Sequence, residues 1–383
     1  MVSGMTQTLA GTPALENIAN RVVRPASAQV RESDYRAERW AARGVLWRES
    51  GLKRVRMCGK HPVTRDGTVQ VRANGAAVGY AGLSTCGSVW ACPVCNSKIQ
   101  AVRRLEVGVA AESFAGAAFG ALTLRHRAGQ DLDHLWRSLS HCWRRVGQDR
   151  AVREVRADLG HAGIVRAAEA THGVHGWHPH LHPLHLFDRS VSASDVAQLH
   201  AAQVRAWVAA ADRLGLSTPH EDAQHLHVVT GSAGQALGDY FAKGTFTSGA
   251  VGWEMTSTQT KTRTRSSSGV TPWDLLHAVY RDGDADALDL WHAWERASKG
   301  KRALTWSRGL RARVGLDVEA SDEEIAEAVV GSEQDAGLVL LDWAPIRRNP
   351  RLGAQLLAAV GPSMNWNAGR RFCDDHGIEW RNA

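Results

Sequence analysis

The run Gly176–Phe187 (GWHPHLHPLHLF) constrains this chain more than any other stretch. On a β-strand, residues i, i+2 and i+4 share a face, so His178, His180 and His182 point the same way, with neighbours about 7 Å apart. Beyond Pro183 the run is mostly apolar, through Leu184, Leu186 and Phe187, as a central buried strand requires. Residues 164–171 read as a second strand with a single acid, Glu169. A hairpin turn at residues 174–176, eased by Gly173 and Gly176, sets Glu169 opposite His180 or His182. Two imidazoles and a carboxylate with positions left open suit Mg²⁺ or Mn²⁺ acting as a Lewis acid on a phosphate. His178 is an additional candidate at the same site. His225-Leu226-His227 repeats the alternation and is a rival, but no acid accompanies it on a hairpin partner, so it reads as a structural pair.

The cysteines point to a second metal. Four of the six lie at Cys58 and in Cys86-x5-Cys92-x2-Cys95. Four thiolates are the set that a tetrahedral structural Zn²⁺ takes. The gap in Cys92-Pro93-Val94-Cys95 lets both sulfurs reach one ion while backbone amides point at them. His61 is an alternative to Cys58 as fourth ligand. Cys142 and Cys373 have no partner pattern and read as core or surface residues.

Residues 233–244 (AGQALGDYFAKG) read as a short helix with Tyr240 and Lys243 on one face. An ammonium beside a phenol favours phenolate and can hold a phosphate oxygen, which makes Tyr240 a candidate nucleophile.

At ~150 residues per domain, 383 residues make two or three domains. Apolar residues at 44% against 22% charged exclude disorder over the whole length. A net charge of +7 favours polyanionic partners, nucleic acid first. No apolar run reaches the ~18 residues of a membrane helix. The N-terminus shows no charged region followed by an apolar block, so the expected location is cytoplasmic, where thiols stay reduced. Fifteen Trp stand against four Tyr and six Phe, a balance that motifs alone do not explain.

The chain divides into four regions. Residues 1–56 are an arm (1–30) and a basic helix (31–56). Residues 57–112 hold the cysteine module and a helix. Residues 113–250 alternate strands (119–124, 164–171, 178–187, 225–229) with helices, one over 132–146 and one opened by a Ser192-x-x-Asp195 capping box. Residues 251–383 begin with a polar, basic loop (257–269). Helices then start at Thr271-Pro272-x-Asp274 and Ser321-x-x-Glu324, and a strand is expected at 339–343. Strands and helices without strict βαβ alternation imply an α+β fold on an antiparallel sheet.

Five blocks, LSTCGSVWACPVCNSKI (83–99), FGALTLRH (119–126), RAAEATHGVHGWHPHLHPLHLF (166–187), ALGDYFAKG (236–244) and RALTWSRGLRA (302–312), occur in one order. In that order they resemble the rolling-circle replication initiators of small bacterial plasmids, in the single-tyrosine group of HUH endonucleases, and closely resemble actinobacterial versions. The resemblance implies a central antiparallel sheet flanked by helices and carrying His180 and His182, with Glu169 as third ligand. The cysteine spacing places an N-terminal four-cysteine zinc module beside that sheet, and the helix signals after residue 270 give a mostly helical C-terminal region. The resemblance implies Tyr240 as the nicking residue and Lys243 as its partner. Family members cut one strand of the plasmid's double-strand origin, become joined to its 5′-phosphate, and leave a 3′-OH that primes a host polymerase while a host helicase unwinds. They later rejoin the ends. Where some relatives carry a glutamate one turn before the tyrosine, this chain has Ala236, with Gln235 and Asp239 nearby; Asp239 is the candidate acid for the closing step. Two alternatives stand beside this reading: a relaxase or single-strand transposase with the same chemistry, and a zinc-stabilised DNA-binding regulator without catalysis.

Overall fold

The computed structural model describes residues 26–75, 77–229 and 269–383, with side chains from residue 36 onward. The arm as far as residue 25, the tyrosine helix with Tyr240, Lys243 and Asp239, and nearly all of the basic loop lie outside these residues. The protein is α+β, with two antiparallel sheets flanked by helices. Its strands are β1 to β9 in chain order. Two compact units emerge: the described residues up to Lys98 together with Ser321–Ala383, and those of Ile99–Ala320.

The first unit is built on a sheet of order β2-β1-β8-β9, with β1 at Val69–Ala73, β2 at Val78–Ala81, β8 at Ala336–Leu340 and β9 at Trp380–Arg381. Val69, Val71 and Ala73 are buried and alternate with Gln70 and Arg72. Their inward face meets Trp40 of helix α1 (Ala26–Glu49), Leu338 and Leu340 of β8, and Leu356 and Val360 of a C-terminal helix. The helix expected over residues 31–56 breaks at Ser50-Gly51, where Ser50 Oγ accepts from the Leu52 amide at 3.1 Å. A second short helix, Lys53–Met57, then follows. The strand expected at 339–343 runs over Ala336–Leu340 instead. Asp342 accepts from the Ala344 amide at 2.7 Å and turns the chain into the short helix Ala344–Arg348.

The C-terminal region is mostly helical, yet it also completes both sheets: β8 pairs with β1, and β7 (Leu304–Trp306) pairs with β4. The compact units therefore do not follow the linear order of the four regions.

The second unit has a sheet of order β6-β3-β5-β4-β7. Its other strands are β3 (Gly116–Thr123), β4 (His161–Gly173), β5 (Gly176–Phe187) and β6 (His225–Val228). β5 is central and buried along nearly its whole length. On one face, Val107, Ala110 and Ala111 of helix α2 (Pro93–Glu112) pack on Phe119, Val165, Ala167, Leu184 and Leu186. The other face receives helices α3 (Leu132–Gln148) and α4 (Ala193–Arg213). Ser192 and Asp195 form the expected capping box on α4, and Thr271 and Asp274 form one at the helix with Pro272 in its first turn.

Candidate metal centres

The β4–β5 hairpin turns through Val174 and His175, with Gly173 paired to Gly176, whose φ of +84° suits a residue without a Cβ. That register places Glu169 directly opposite His180 and Ala167 opposite His182. Strand alternation then puts Glu169, His180 and His182 on one face, just beyond the apolar patch that α2 covers. All three are buried. His180 Nε2 lies 3.3 Å and His182 Nε2 3.7 Å from Glu169 Oε2, and one donor atom from each residue falls within 4.8 Å of the others.

The other ring nitrogens decide what this cluster can hold. His180 Nδ1 is 3.1 Å from the His178 carbonyl and His182 Nδ1 is 3.2 Å from the Gly120 carbonyl. A carbonyl oxygen only accepts, so both Nδ1 atoms carry a hydrogen, and both Nε2 atoms face the carboxylate. His182 Nε2 is buried and makes no hydrogen bond among the described residues. Two imidazole nitrogens converging on a carboxylate form a donor set that could hold a divalent ion. Phe119 stacks on His182 at 5.5 Å, and Trp207 Nε1 donates to the Thr123 carbonyl at 2.8 Å, holding the end of β3. Gly120 has no room for a side chain: a Cβ there would collide with the His225 carbonyl oxygen.

Further histidines border the cluster. His178 Nδ1 lies 3.2 Å from His126 Nδ1, away from the Glu169 carboxylate, and burial, helped by His180 and His126, pushes its pKa down to about 3. His225 pairs across Ala121 of β3, which puts it on the same sheet face as His182. Burial, His227 and His182 all lower its pKa. The rival pair thus flanks the three-residue cluster without joining it. His126, which no spacing motif singles out, and Gly120 enter only through the fold.

In the first unit, Cys58, Cys86, Cys92 and Cys95 are buried, unbridged and gathered within 4.8 Å. Sulfur separations are 3.5 Å for Cys58–Cys95, 3.6 Å for Cys86–Cys95 and 3.7 Å for Cys92–Cys58. Zn–S bonds of about 2.3 Å give a tetrahedron with edges of about 3.8 Å, so the pocket fits Zn²⁺. The Ser88 and Cys95 amides point at Cys86 Sγ and Cys92 Sγ, each at 3.5 Å. Hydrogen bonds from the other three sulfurs hold the Cys95 thiol well below its ordinary range. Burial pushes Lys98 down, opposed by the sulfurs of Cys95 and Cys58; its ammonium donates to the Ala326 carbonyl at 3.1 Å and offsets local negative charge. Trp47 and Trp343 donate to the carbonyls of Cys58 and Gly59 at 2.8 and 3.1 Å. Part of the tryptophan excess therefore serves as backbone anchors. His61 lies outside the sulfur cluster, beside Arg347 at 3.4 Å. Cys142 and Cys373 are buried, and burial raises each thiol to about 11.

No helix among the described residues is long and apolar enough to cross a membrane. No family model matches the chain, and no solved structure matches it. Among curated proteins, "Protein rep" of Streptomyces lividans is 28% identical over 320 residues, covering 67% of this chain and 69% of that protein. "Neomycin resistance protein" of Streptomyces cyanogenus is 30% identical over 141 residues, 29% of this chain and 32% of that one. The chain thus spans about a third of the second relative. With the ordered blocks of the sequence, the similarity over two-thirds of both chains makes this protein a relative of an actinobacterial Rep protein.

Proposed function

We propose that this chain initiates plasmid replication by cutting one strand of origin DNA with a tyrosine, holding the cut end as a phosphotyrosine and later rejoining it. One observation carries the reading: His180 Nε2, His182 Nε2 and the Glu169 carboxylate converge in a buried pocket of a chain related to a Rep protein. These three side chains would hold Mg²⁺ or Mn²⁺, which when bound supplies Lewis-acid polarisation of phosphoryl oxygens.

The chain's own residues carry the rest. Tyr240 Oη attacks phosphorus, the bond from phosphorus to the 3′-oxygen breaks, and the phenolic proton is balanced by one taken up on the departing 3′-oxygen. Lys243 favours the phenolate and holds a phosphate oxygen. The energy of the broken phosphodiester is retained in the tyrosine–phosphorus ester, so rejoining needs no nucleotide. The freed 3′-OH is left for a host polymerase, with a host helicase opening the duplex. The four-cysteine centre, loaded with Zn²⁺, keeps the first unit folded. Tyr80 is unsuited to the chemistry. Its hydroxyl donates to the Gly353 carbonyl at 2.7 Å inside the core, and burial holds its pKa well above the usual phenol range.

The test incubates purified protein with supercoiled plasmid carrying its own gene and Mg²⁺ or Mn²⁺. Wild type is expected to give nicked circles with protein attached, and Tyr240→Phe to bind the DNA without forming the adduct. An adduct persisting in Tyr240→Phe would move the nucleophile to Tyr35 or Tyr280 and overturn the assignment.

A further inference from the structure

The sheet of the second unit carries a cavity on the face away from Glu169. Strand alternation sends Glu169 to one side of β4 and Arg166 and Ala168 to the other. There, Arg166, Leu181 of β5, one side of α3 and the segment before β7 line an open cavity of about 460 Å³. Its lining is strongly cationic: Arg137 and Arg144, seven residues apart on α3, join Arg166, Lys301 and Arg302. Asp133 pairs with Lys301 at 2.7 Å and with Arg137 at 3.1 Å. No ion pair of Arg144, Arg166 or Arg302 forms among the described residues. Arg166 Nε is buried without a hydrogen bond, and its guanidinium lies 5.5 Å from the Trp143 ring.

Gathering five cations around one carboxylate and partly burying one of them opposes folding, since each charge loses water and repels its neighbours. No packing requirement explains that arrangement, and an anion in the cavity would offset it. The volume is that of a small-ligand site, far larger than a single ion needs. Planar arginine forks are suited to phosphate oxygens. The buried side chains of Trp136 and Leu181 form its floor.

We propose that this cavity binds successive phosphates of a DNA strand, on the sheet face opposite the Glu169, His180 and His182 cluster. The phosphate site stands on the cavity alone; its assignment to DNA rests on the replication reading above. It would grip the strand away from the cut, giving affinity without base selection.

The test measures binding of a labelled single-stranded oligonucleotide over a range of salt, with no divalent ion added, so that cleavage does not enter. Arg144→Gln/Arg302→Gln is the first variant, because both side chains are exposed and the fold should survive, checked by its melting temperature. Arg166→Gln is the second. Loss of two phosphate contacts should weaken binding at least about tenfold near 0.1 M salt and reduce the slope of log K against log salt by about 1.4. Unchanged affinity and slope in both variants would overturn the proposal. ATP is titrated in parallel: tight ATP binding that the variants lose, with oligonucleotide binding intact, would reassign the cavity to a nucleoside triphosphate and overturn the DNA assignment. Failure to find an adduct on Tyr240 defeats the nicking reading and leaves this titration unaffected.

Discussion

The two candidate metal pockets differ in how far the protein closes them. Around Cys58, Cys86, Cys92 and Cys95, four sulfurs complete a tetrahedron, amides and a lysine neutralise it, and tryptophans fasten the surrounding backbone. Around Glu169, His180 and His182, two nitrogens and one carboxylate leave positions for further ligands. A closed all-thiolate shell has nothing to offer a substrate and contributes folding energy; an open mixed shell contributes little to the fold and can meet a phosphate. On the proposed function, one pocket holds the shape and the other does the chemistry, and each variant below should disturb one without the other.

The largest effect is expected at the closed centre. Removing Cys92 or Cys95 should eliminate zinc, expected at about one per chain, and destabilise the first unit on the order of 10 kcal/mol, the scale of structural zinc binding. Zinc analysis and thermal melts check this; freshly purified, reduced protein without zinc would defeat the reading. At the open centre, His180→Ala and His182→Ala should each lower nicking about 10²–10³-fold, comparable to losing one transition-state contact, with zinc content and melting intact. His225→Ala and His227→Ala should do far less, and a reversed ranking in the nicking assay would transfer the site to the rival pair.

Gly120→Ala sharpens the contrast without touching a ligand. The added methyl must push the His225 carbonyl, and with it β6, away from β3, at about 1–3 kcal/mol, and shift the Gly120 carbonyl that orients His182. Divalent-ion affinity should fall about 10–100-fold, as for other groups that orient a metal ligand, while zinc is retained. Calorimetric titration with Mn²⁺ showing wild-type affinity would remove Gly120 from the account.

The smallest effect concerns acid. His161 and His185 share a 3.1 Å contact beneath the sheet, near Arg156. Burial, with Arg156 adding to it, pushes His161 to about 3 and His185 well below its usual range. Both are neutral when folded and take up protons when unfolded below about pH 6.5. The unfolded chain therefore binds more protons between pH ~6.5 and ~3, and stability falls as pH drops through that window, by at most about 1.4 kcal/mol per pH unit for each histidine. Urea unfolding should show a shallower pH slope in His161→Gln; an equal slope would exclude His161 as a source.

Local pattern revealed the open centre well because its geometry is local. Alternation in Gly176–Phe187, apolar flanks and two glycines determine a hairpin, and the hairpin determines which acid faces which histidine. The cysteine spacing works the same way. What stayed hidden is non-local. Gln70 pairs with Val339, and His126 meets His178 through a packing arrangement that no spacing encodes. The β1–β2 hairpin is an intermediate case: Val69, Val71 and Ala73 alternate with polar residues, but five residues are a weak signal inside a polar, glycine-rich stretch. Gly120 and Trp207 acquire their roles only once β6 and α4 lie against β3.

In the proposed function the open centre serves a tyrosine which becomes joined to DNA. Mass spectrometry of the protease-digested protein–DNA adduct tests it most directly. A nucleotide 5′-phosphate is expected on the peptide containing Tyr240, formed by wild type with Mg²⁺ or Mn²⁺ and absent from His180→Ala and His182→Ala. A phosphorylated residue elsewhere, or an adduct formed equally well without those histidines, would contradict it.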